Sequence, residues 1–112
     1  MGMSIETREV TDGAVVSIAG ELDVSVVDAV QQTLEAALAR RPQILRVDLA
    51  QVRLLDSRVM AVLWLTYKAA AAQNTTLILC NPTEFVAHVL DVAGLLTVLP
   101  VERDHSGGAV TG

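Results

Sequence analysis

Cysteine, histidine and aromatic residues are scarce in this sequence, and each shortage removes a class of structure or function. Cys80 is the only cysteine, so no disulfide can form within the chain and too few thiols are present for a cysteine-based zinc site. The two histidines are too few to suggest a metal centre, and the seven glycines are scattered rather than gathered in a phosphate-binding loop. We therefore expect no metal and no cofactor, and we interpret Cys80 as a buried strand thiol.

Basic residues and long apolar runs are scarce as well. The formal net charge is −5 and Arg40-Arg41 is the only basic cluster, which argues against nucleic acid because Lys and Arg supply most of the affinity for phosphates. The longest uninterrupted apolar stretch, residues 59–65, is far shorter than the roughly 20 residues that cross a bilayer. These features, with the single cysteine, predict a cytoplasmic protein with no nucleic-acid partner and no membrane insertion.

Aliphatic residues are abundant and must form the core. Hydrophobic residues make up 52% of the 112 positions, whereas Phe, Trp and Tyr occur once each. Only 19% of the residues are charged, which excludes intrinsic disorder as the main state. We expect one domain whose core is packed by Val, Leu, Ile and Ala.

Periodicity and turn signals divide the first half of the chain into a hairpin, a helix and a strand. Asp12-Gly13 predicts a hairpin between strands at residues 4–10 and 14–19. Ser25 is a suitable N-cap for an amphipathic helix that ends near residue 40, where Pro42 follows. The next strand is predicted at residues 44–49.

The second half continues the alternation of helices and strands. A helix is predicted at residues 57–73, a buried strand at 76–80, and a third helix that Asn81 and Pro82 begin. A final strand interrupted by Pro100 is predicted at residues 95–101. The predicted apolar stripe of the third helix consists of Phe85, Val86, Val89 and Val92.

This order of elements predicts an α/β fold. Strands that alternate with amphipathic helices imply right-handed crossovers and parallel pairing, and the initial hairpin adds an antiparallel part. We place the domain at residues 1–101 and interpret the polar, glycine-rich residues 102–112 as a flexible tail.

Ser57 stands at the junction of the third strand and the second helix. Its hydroxyl could cap the helix, or it could carry a phosphate that faces the unpaired N–H groups of the first turn. A hydrolase nucleophile is excluded locally, because the elbow motif requires glycine where Leu55 and Val59 stand, and His88 is interpreted as structural. A cap and a modification site therefore remain as the two interpretations of Ser57.

The second helix has an unusual outer face. Ala61, Lys68 and Ala72 share this face, and Trp64 and Leu65 flank it. Either another element of the domain covers this surface or a partner protein does, because exposed apolar patches commonly mark interaction sites. We favour a partner at the Trp64 edge, with Trp64 as an ordinary core residue as the alternative.

Three motifs give the chain a resemblance to a known family. Gly20-Glu21-Leu22-Asp23 resembles an acidic motif after the second strand, and Leu55-Asp56-Ser57 resembles a phosphorylation-site motif that follows a Val-Asp-Leu strand. Asp91-Val92-Ala93-Gly94-Leu95 resembles the motif that closes the third main helix. Together they resemble the STAS domains, in particular the bacterial anti-sigma factor antagonists.

The resemblance implies a fold, partners and a site. The fold is a mixed sheet of about five strands with three to four helices packed mainly on one side, and the protein has no catalysis of its own. The implied partner is an anti-sigma factor that is also a serine kinase; binding it releases the sigma factor, phosphorylation of Ser57 ends the binding, and a phosphatase restores it. The predicted partner-binding residues are Glu21, Asp23, Asp56, Ser57, Arg58, Ala61, Trp64 and Leu65.

The sequence departs from the family pattern after Ser57. The family usually continues with Ser or Thr and then Gly, whereas this chain has Arg58 and Val59. Arg58 is expected either to pair with a phosphate on Ser57 or to pair with Asp56 or Asp23. The main alternative function is a STAS regulatory subunit bound to an ABC transporter ATPase of the lipid-transport type, and a weak homodimer is also left open.

Overall fold

A computed structural model describes residues 2–103 of the chain. These residues form five strands and three α-helices, and two short 3₁₀ turns lie at Val24–Val26 and Leu95–Thr97. None of the described helices has the length and apolarity needed to span a membrane. In chain order the elements are β1 (Met3–Val10), β2 (Gly13–Leu22), α1 (Val27–Ala39), β3 (Ile44–Leu55), α2 (Ser57–Ala72), β4 (Thr76–Cys80), α3 (Glu84–Val92) and β5 (Val101–Glu102).

The five strands form one mixed sheet in the order β1-β2-β3-β4-β5. β1 pairs with β2 in antiparallel register, and all other neighbours are parallel. Gly13, the first residue of β2 after the hairpin turn, has φ +152°, and a Cβ there would overlap the carbonyl of Ile44 on β3. The mixed sheet predicted from the alternation of elements is therefore confirmed.

The helices pack on one face of this sheet. Alternate residues of the central strands, among them Val16, Val47 and Leu79, join buried residues of all three helices in a single hydrophobic cluster. Arg46 and Asp48, the intervening residues of β3, lie outside that cluster and are only partly buried. We call the opposite surface of the sheet, which carries these polar residues, the helix-free face.

The third helix begins later than the sequence predicts. Asn81 adopts a left-handed backbone with φ 55°, and Pro82 precedes the helix rather than opening it. Thr83 is the N-cap: its hydroxyl accepts a hydrogen bond of 3.2 Å from the backbone N–H of Val86. The prediction was wrong because this segment contains two capping residues, and the one nearer the helix takes the role.

The apolar stripe of α3 also differs from the prediction. Val86 is fully buried as expected, and its buried neighbour one turn later is Leu90. Phe85 and Val92, predicted to face the core, are 54% and 74% exposed. The helix carries two overlapping apolar stripes, and only the one that contains Val86 faces the sheet.

The end of the domain differs from the expected last strand. Residues 95–97 form a 3₁₀ turn, and only Val101 and Glu102 pair with β4. Glu102, which the sequence analysis assigned to the tail, also accepts a hydrogen bond of 3.0 Å from Nε of Arg46. Residues 104–112 of the predicted flexible tail lie outside the described residues.

Candidate functional site

Ser57 lies where the carboxyl ends of two parallel strands meet. Leu22 at the end of β2 is in register with Leu55 at the end of β3. The backbone N–H of Asp56 donates to the carbonyl of Leu22 over 2.9 Å and so joins the two loops that follow these strands. The two acidic motifs, separated by more than thirty positions in the sequence, therefore form one edge of the molecule.

Asp56 determines how α2 begins. Its backbone is extended, with φ −75° and ψ 151°, and its carboxylate accepts a hydrogen bond of 2.8 Å from the backbone N–H of Arg58. Asp56 is thus the N-cap, and Ser57 is the first helical residue. The interpretation of Ser57 as the cap is wrong, because the residue before it satisfies the first turn.

The Ser57 side chain is accessible. The residue is exposed, and within residues 2–103 its hydroxyl has no hydrogen-bond partner. It stands at the N-terminus of a 16-residue helix, where the helix dipole stabilises negative charge. The geometry is suitable for a hydroxyl that accepts a phosphate.

Asp23 is held in place beside this serine-bearing loop. Its carboxylate accepts hydrogen bonds from the backbone N–H of Ser25 at 2.9 Å and from the Ser25 hydroxyl at 2.5 Å. These bonds lower the pKa of Asp23 below its ordinary value, so the group stays ionised near neutral pH. Asp23 rather than Ser25 caps the turn that precedes α1, which corrects the predicted cap.

Two apolar residues and one cation of the same edge were not predicted. Val24 and Leu54 are exposed large hydrophobic residues, and each is next to a residue of the predicted surface. Arg53 lies 3.9 Å from the carboxylate of Glu21, in an exposed ion pair of small energetic value. Only the register of β2 against β3, which pairs Glu21 with Leu54, brings these residues together, and a single sequence does not give that register.

Arg58 does not form the ion pair that one hypothesis gave it. Its backbone N–H is engaged by Asp56. In the described part of the chain, however, no salt bridge joins its guanidinium to Asp56, Asp23 or any other carboxylate. The predicted pairing of Arg58 with Asp56 or Asp23 is therefore wrong, and pairing between Arg58 and a phosphate on Ser57 stays a prediction.

The outer face of α2 continues from this edge. Ala61 and Leu65 are exposed, Leu65 by 59%. Trp64 is half-buried: its ring stacks on Tyr67 with centroids 5.9 Å apart, and the Lys68 ammonium lies 5.8 Å from its centroid. The helix itself thus supplies part of the cover for Trp64, and the neighbouring apolar side chains remain open to solvent.

A groove beside Leu65 separates α2 from α1. It has a volume of about 250 Å³. Its lining combines apolar side chains of both helices with polar residues, and consists of Gln31, Glu35, Leu38, Val62, Leu65, Thr66 and Ala69. Of the predicted partner-binding residues of α2, Leu65 therefore borders a concave, largely apolar surface.

The helix-free face carries a separate polar network. Arg46 on β3 contacts both carboxylate oxygens of Asp12, at 2.9 and 3.2 Å, and one oxygen of Glu102 at 3.0 Å. Cys80 is buried beside it, and burial together with Glu102 raises the pKa of the thiol to about 12. The thiol is a buried strand residue as predicted, and it stays protonated at neutral pH.

Within residues 2–103, no group of three or more His, Cys, Asp or Glu side chains is arranged to hold a metal.

The chain is similar to known proteins over nearly its whole length. A family model described as the STAS domain matches residues 4–107. The anti-sigma-B factor antagonist of Bacillus subtilis (strain 168) is 28% identical over 108 residues, covering 96% of this chain and 98% of that protein. The protein of the same name from Listeria monocytogenes is 26% identical over 104 residues, covering 92% and 91%.

Solved structures show the same fold. The crystal structure of an anti-sigma factor antagonist from Mycobacterium paratuberculosis aligns with a TM-score of 0.83 at 20% identity, covering 98% of this chain and 93% of that one. The unphosphorylated anti-sigma factor antagonist SpoIIAA aligns with a TM-score of 0.79 at 19% identity, covering 96% and 93%. At these identities the likeness establishes the architecture of the chain.

Proposed function

The chain belongs to the STAS domain family, and we propose that it is an anti-sigma factor antagonist that acts in the cytoplasm. In this role it binds an anti-sigma factor that is also a serine kinase, and the sigma factor is released. The chain contributes a binding surface and a phosphate acceptor rather than catalytic groups. Curated relatives that carry the name anti-sigma-B factor antagonist support this proposal.

The observation that carries the proposal is the exposed hydroxyl of Ser57 at the start of α2, which forms no hydrogen bond with the part of the chain that the structure describes. A phosphate there adds about −1.5 to −2 charge at neutral pH. Asp56 and the ionised Asp23 lie on the same edge, so the phosphate completes an acidic cluster that an acidic partner surface cannot approach. Phosphorylation by the kinase thus ends the binding, and a phosphatase acting on Ser57 restores it.

The proposed binding surface has a charged part and an apolar part. The charged part is acidic because it contains the carboxylates of Glu21, Asp23 and Asp56, and Arg58 adds one cation. The exposed side chains of α2 supply apolar contact area, which contributes most of the affinity in protein interfaces. The whole set consists of Glu21, Asp23, Asp56, Ser57, Arg58, Ala61, Trp64 and Leu65, with Val24 and Leu54 at its border.

Affinity capture from the source cell's lysate tests the proposal. We expect the wild-type chain and Ser57→Ala to retain an ATP-binding serine kinase, and Ser57→Glu to lose it, with mass spectrometry identifying the retained proteins. Incubation of the captured kinase with ATP should then phosphorylate the wild-type chain at Ser57. Thr11→Glu is the matched control, because Thr11 is an exposed hydroxyl residue of the hairpin turn, at the end of the sheet opposite Ser57, and the change adds the same charge.

Two results would contradict the proposal. Equal retention of the kinase by Ser57→Glu would mean a constitutive antagonist without a switch. Recovery of a transporter ATPase instead of a kinase would favour the alternative, a regulatory subunit of an ABC transporter, which the names of the curated relatives do not favour.

A further inference from the structure

The outer edge of β1 is an open pairing surface. β1 is the first strand in the sheet order, and within residues 2–103 no strand pairs with its outer side. It runs for eight residues without proline, and its register against β2 is continuous. Long, regular edge strands readily pair with another strand unless charges, proline or bulges prevent it.

The charged side chains of β1 do not prevent every strand from pairing with this edge. Glu6 and Arg8 lie in register with Ser17 and Val15 of β2, and the alternation of the strand places both on the helix-free face. Neither side chain has an ion-pair or hydrogen-bond partner among the described residues. The edge therefore presents one free anion and one free cation, two positions apart.

We propose that a second copy of this chain pairs with β1 in antiparallel register about a two-fold axis at Thr7. In this register Glu6 of each copy stands opposite Arg8 of the other, so the pairing forms two equivalent cross-strand ion pairs. The five strands of each copy then join in one continuous sheet of ten.

The charges select this register over its neighbours. A two-fold axis perpendicular to the sheet passes between the two copies of one residue, which therefore pairs with itself. This follows because directly opposite residues must project from the same face. An axis at residue 6 places Glu6 opposite Glu6, and an axis at residue 8 places Arg8 opposite Arg8. Both arrangements bring like charges together, whereas the axis at Thr7 brings opposite charges together.

This homodimer does not rest on the proposed function. The edge of β1 is formed by backbone groups and by Glu6 and Arg8, whereas the Ser57 site lies at the carboxyl ends of β2 and β3. A failure of the switch at Ser57 would therefore leave the dimer proposal unchanged, and the reverse also holds.

A charge-swap series measured by sedimentation equilibrium tests the pairing. We expect the wild type to dimerise with increasing concentration, and Glu6→Arg or Arg8→Glu to weaken dimerisation about tenfold, because each change turns two attractions into two repulsions. The double variant Glu6→Arg/Arg8→Glu should recover the wild-type affinity, and an equimolar mixture of the two single variants should form heterodimers. Asp91→Arg is the control for net charge, since Asp91 is exposed on α3.

A crosslink at the axis gives a second, independent measurement. Thr7→Cys should form a disulfide-linked dimer under mild oxidation, because residue 7 meets itself in this register, whereas Ser4→Cys should not. Cys80 is buried and does not interfere. A wild-type chain that stays monomeric from about 10 μM to 1 mM would overturn the proposal. Dimers that tolerate both charge reversals, or equal crosslinking of Ser4→Cys, would overturn it as well.

Discussion

Arg58 is the residue at which this chain departs from the usual motif. No carboxylate of the described residues pairs with its guanidinium, which allows a direct test of that departure. If Arg58 pairs with a phosphate on Ser57, it offsets part of the repulsion between phosphorylated protein and partner. We expect Arg58→Ser to enlarge the loss of partner affinity on phosphorylation by about two- to fivefold, the size of an exposed ion pair. Isothermal titration of phosphorylated and unphosphorylated forms gives this ratio for each variant.

The matched control for this measurement is Arg41→Ser. It removes the same charge from an exposed residue that also lacks an ion-pair partner in the described range, and it precedes β3, at the opposite end of that strand from Ser57. An unchanged ratio in Arg58→Ser would show that the cation does not contact the phosphate. A ratio that changes equally in both variants would indicate a general effect of net charge.

At the scale of single residues, the sequence predicted where Ser57 lies in the fold but not the local geometry around it. Ser57 was expected at a junction of strand and helix, and it is exposed there. Asp56 and Ser57 are both good capping residues, and adjacent capping residues cannot be ranked without the backbone angles. The ion pair between Arg53 and Glu21, and the absence of one at Arg58 among the described residues, were not predictable either, because ion pairs depend on the distance between loops that different strands carry.

At the scale of the elements, the start of α2 depends on the Asp56 cap. Asp56→Ala removes the acceptor of the Arg58 N–H, and we expect it to lower the free energy of unfolding by about 1 kcal/mol. Asp56→Ser keeps a capping hydroxyl and should recover most of this loss. Urea denaturation of the three proteins measures the difference.

The same pair of variants separates the structural role of Asp56 from its proposed role in binding. If Asp56→Ser is stable but binds the partner weakly, the carboxylate contributes to the interface beyond its capping function. Equal stability of the wild type and Asp56→Ala would mean that another group satisfies the first turn of α2.

Most helices and strands were predictable because the spacing of the apolar residues and the turn and cap residues indicate the same elements. The hairpin has a strong turn sequence, and α2 begins and ends within a residue or so of its predicted bounds. The buried face of α3 was harder to predict, because its apolar residues form two overlapping stripes around the helix. The helix buries the stripe that contains Val86 and Leu90. The predicted last strand contains an apolar run without alternation, and most of that run forms a turn instead.

At the scale of the whole molecule, Arg46 links distant parts of the chain on the helix-free face. It joins Asp12 in the hairpin turn to Glu102 at the end of the last strand. These contacts lower the pKa of Asp12 below its ordinary value of 3.8 and raise the pKa of Arg46. The contribution of the pair between Arg46 and Asp12 to stability therefore requires an ionised Asp12 carboxylate.

The sign of the pH dependence follows from the lowered pKa of Asp12. The contribution is fully present above the unfolded-state pKa, about 3.8, and is lost as the pH falls through the lower pKa of the folded state. We expect acidification below about pH 4 to destabilise the wild type more than Asp12→Asn. Urea midpoints measured from pH 2 to 7 test this, with Asp91→Asn as the control for an exposed aspartate without an ion pair in the described range. Parallel curves for wild type and Asp12→Asn would contradict the assignment.

The position of Trp64 has a spectroscopic consequence. It is the only tryptophan of the chain, it is half-buried on the outer face of α2, and it contacts Tyr67 and Lys68. Its fluorescence therefore comes from one position, within the proposed interface, without background from the core. A partner that covers this face removes water from the indole and shifts its emission to shorter wavelength. The protein thus carries an intrinsic optical reporter, and its docking and release can be followed in real time without a label.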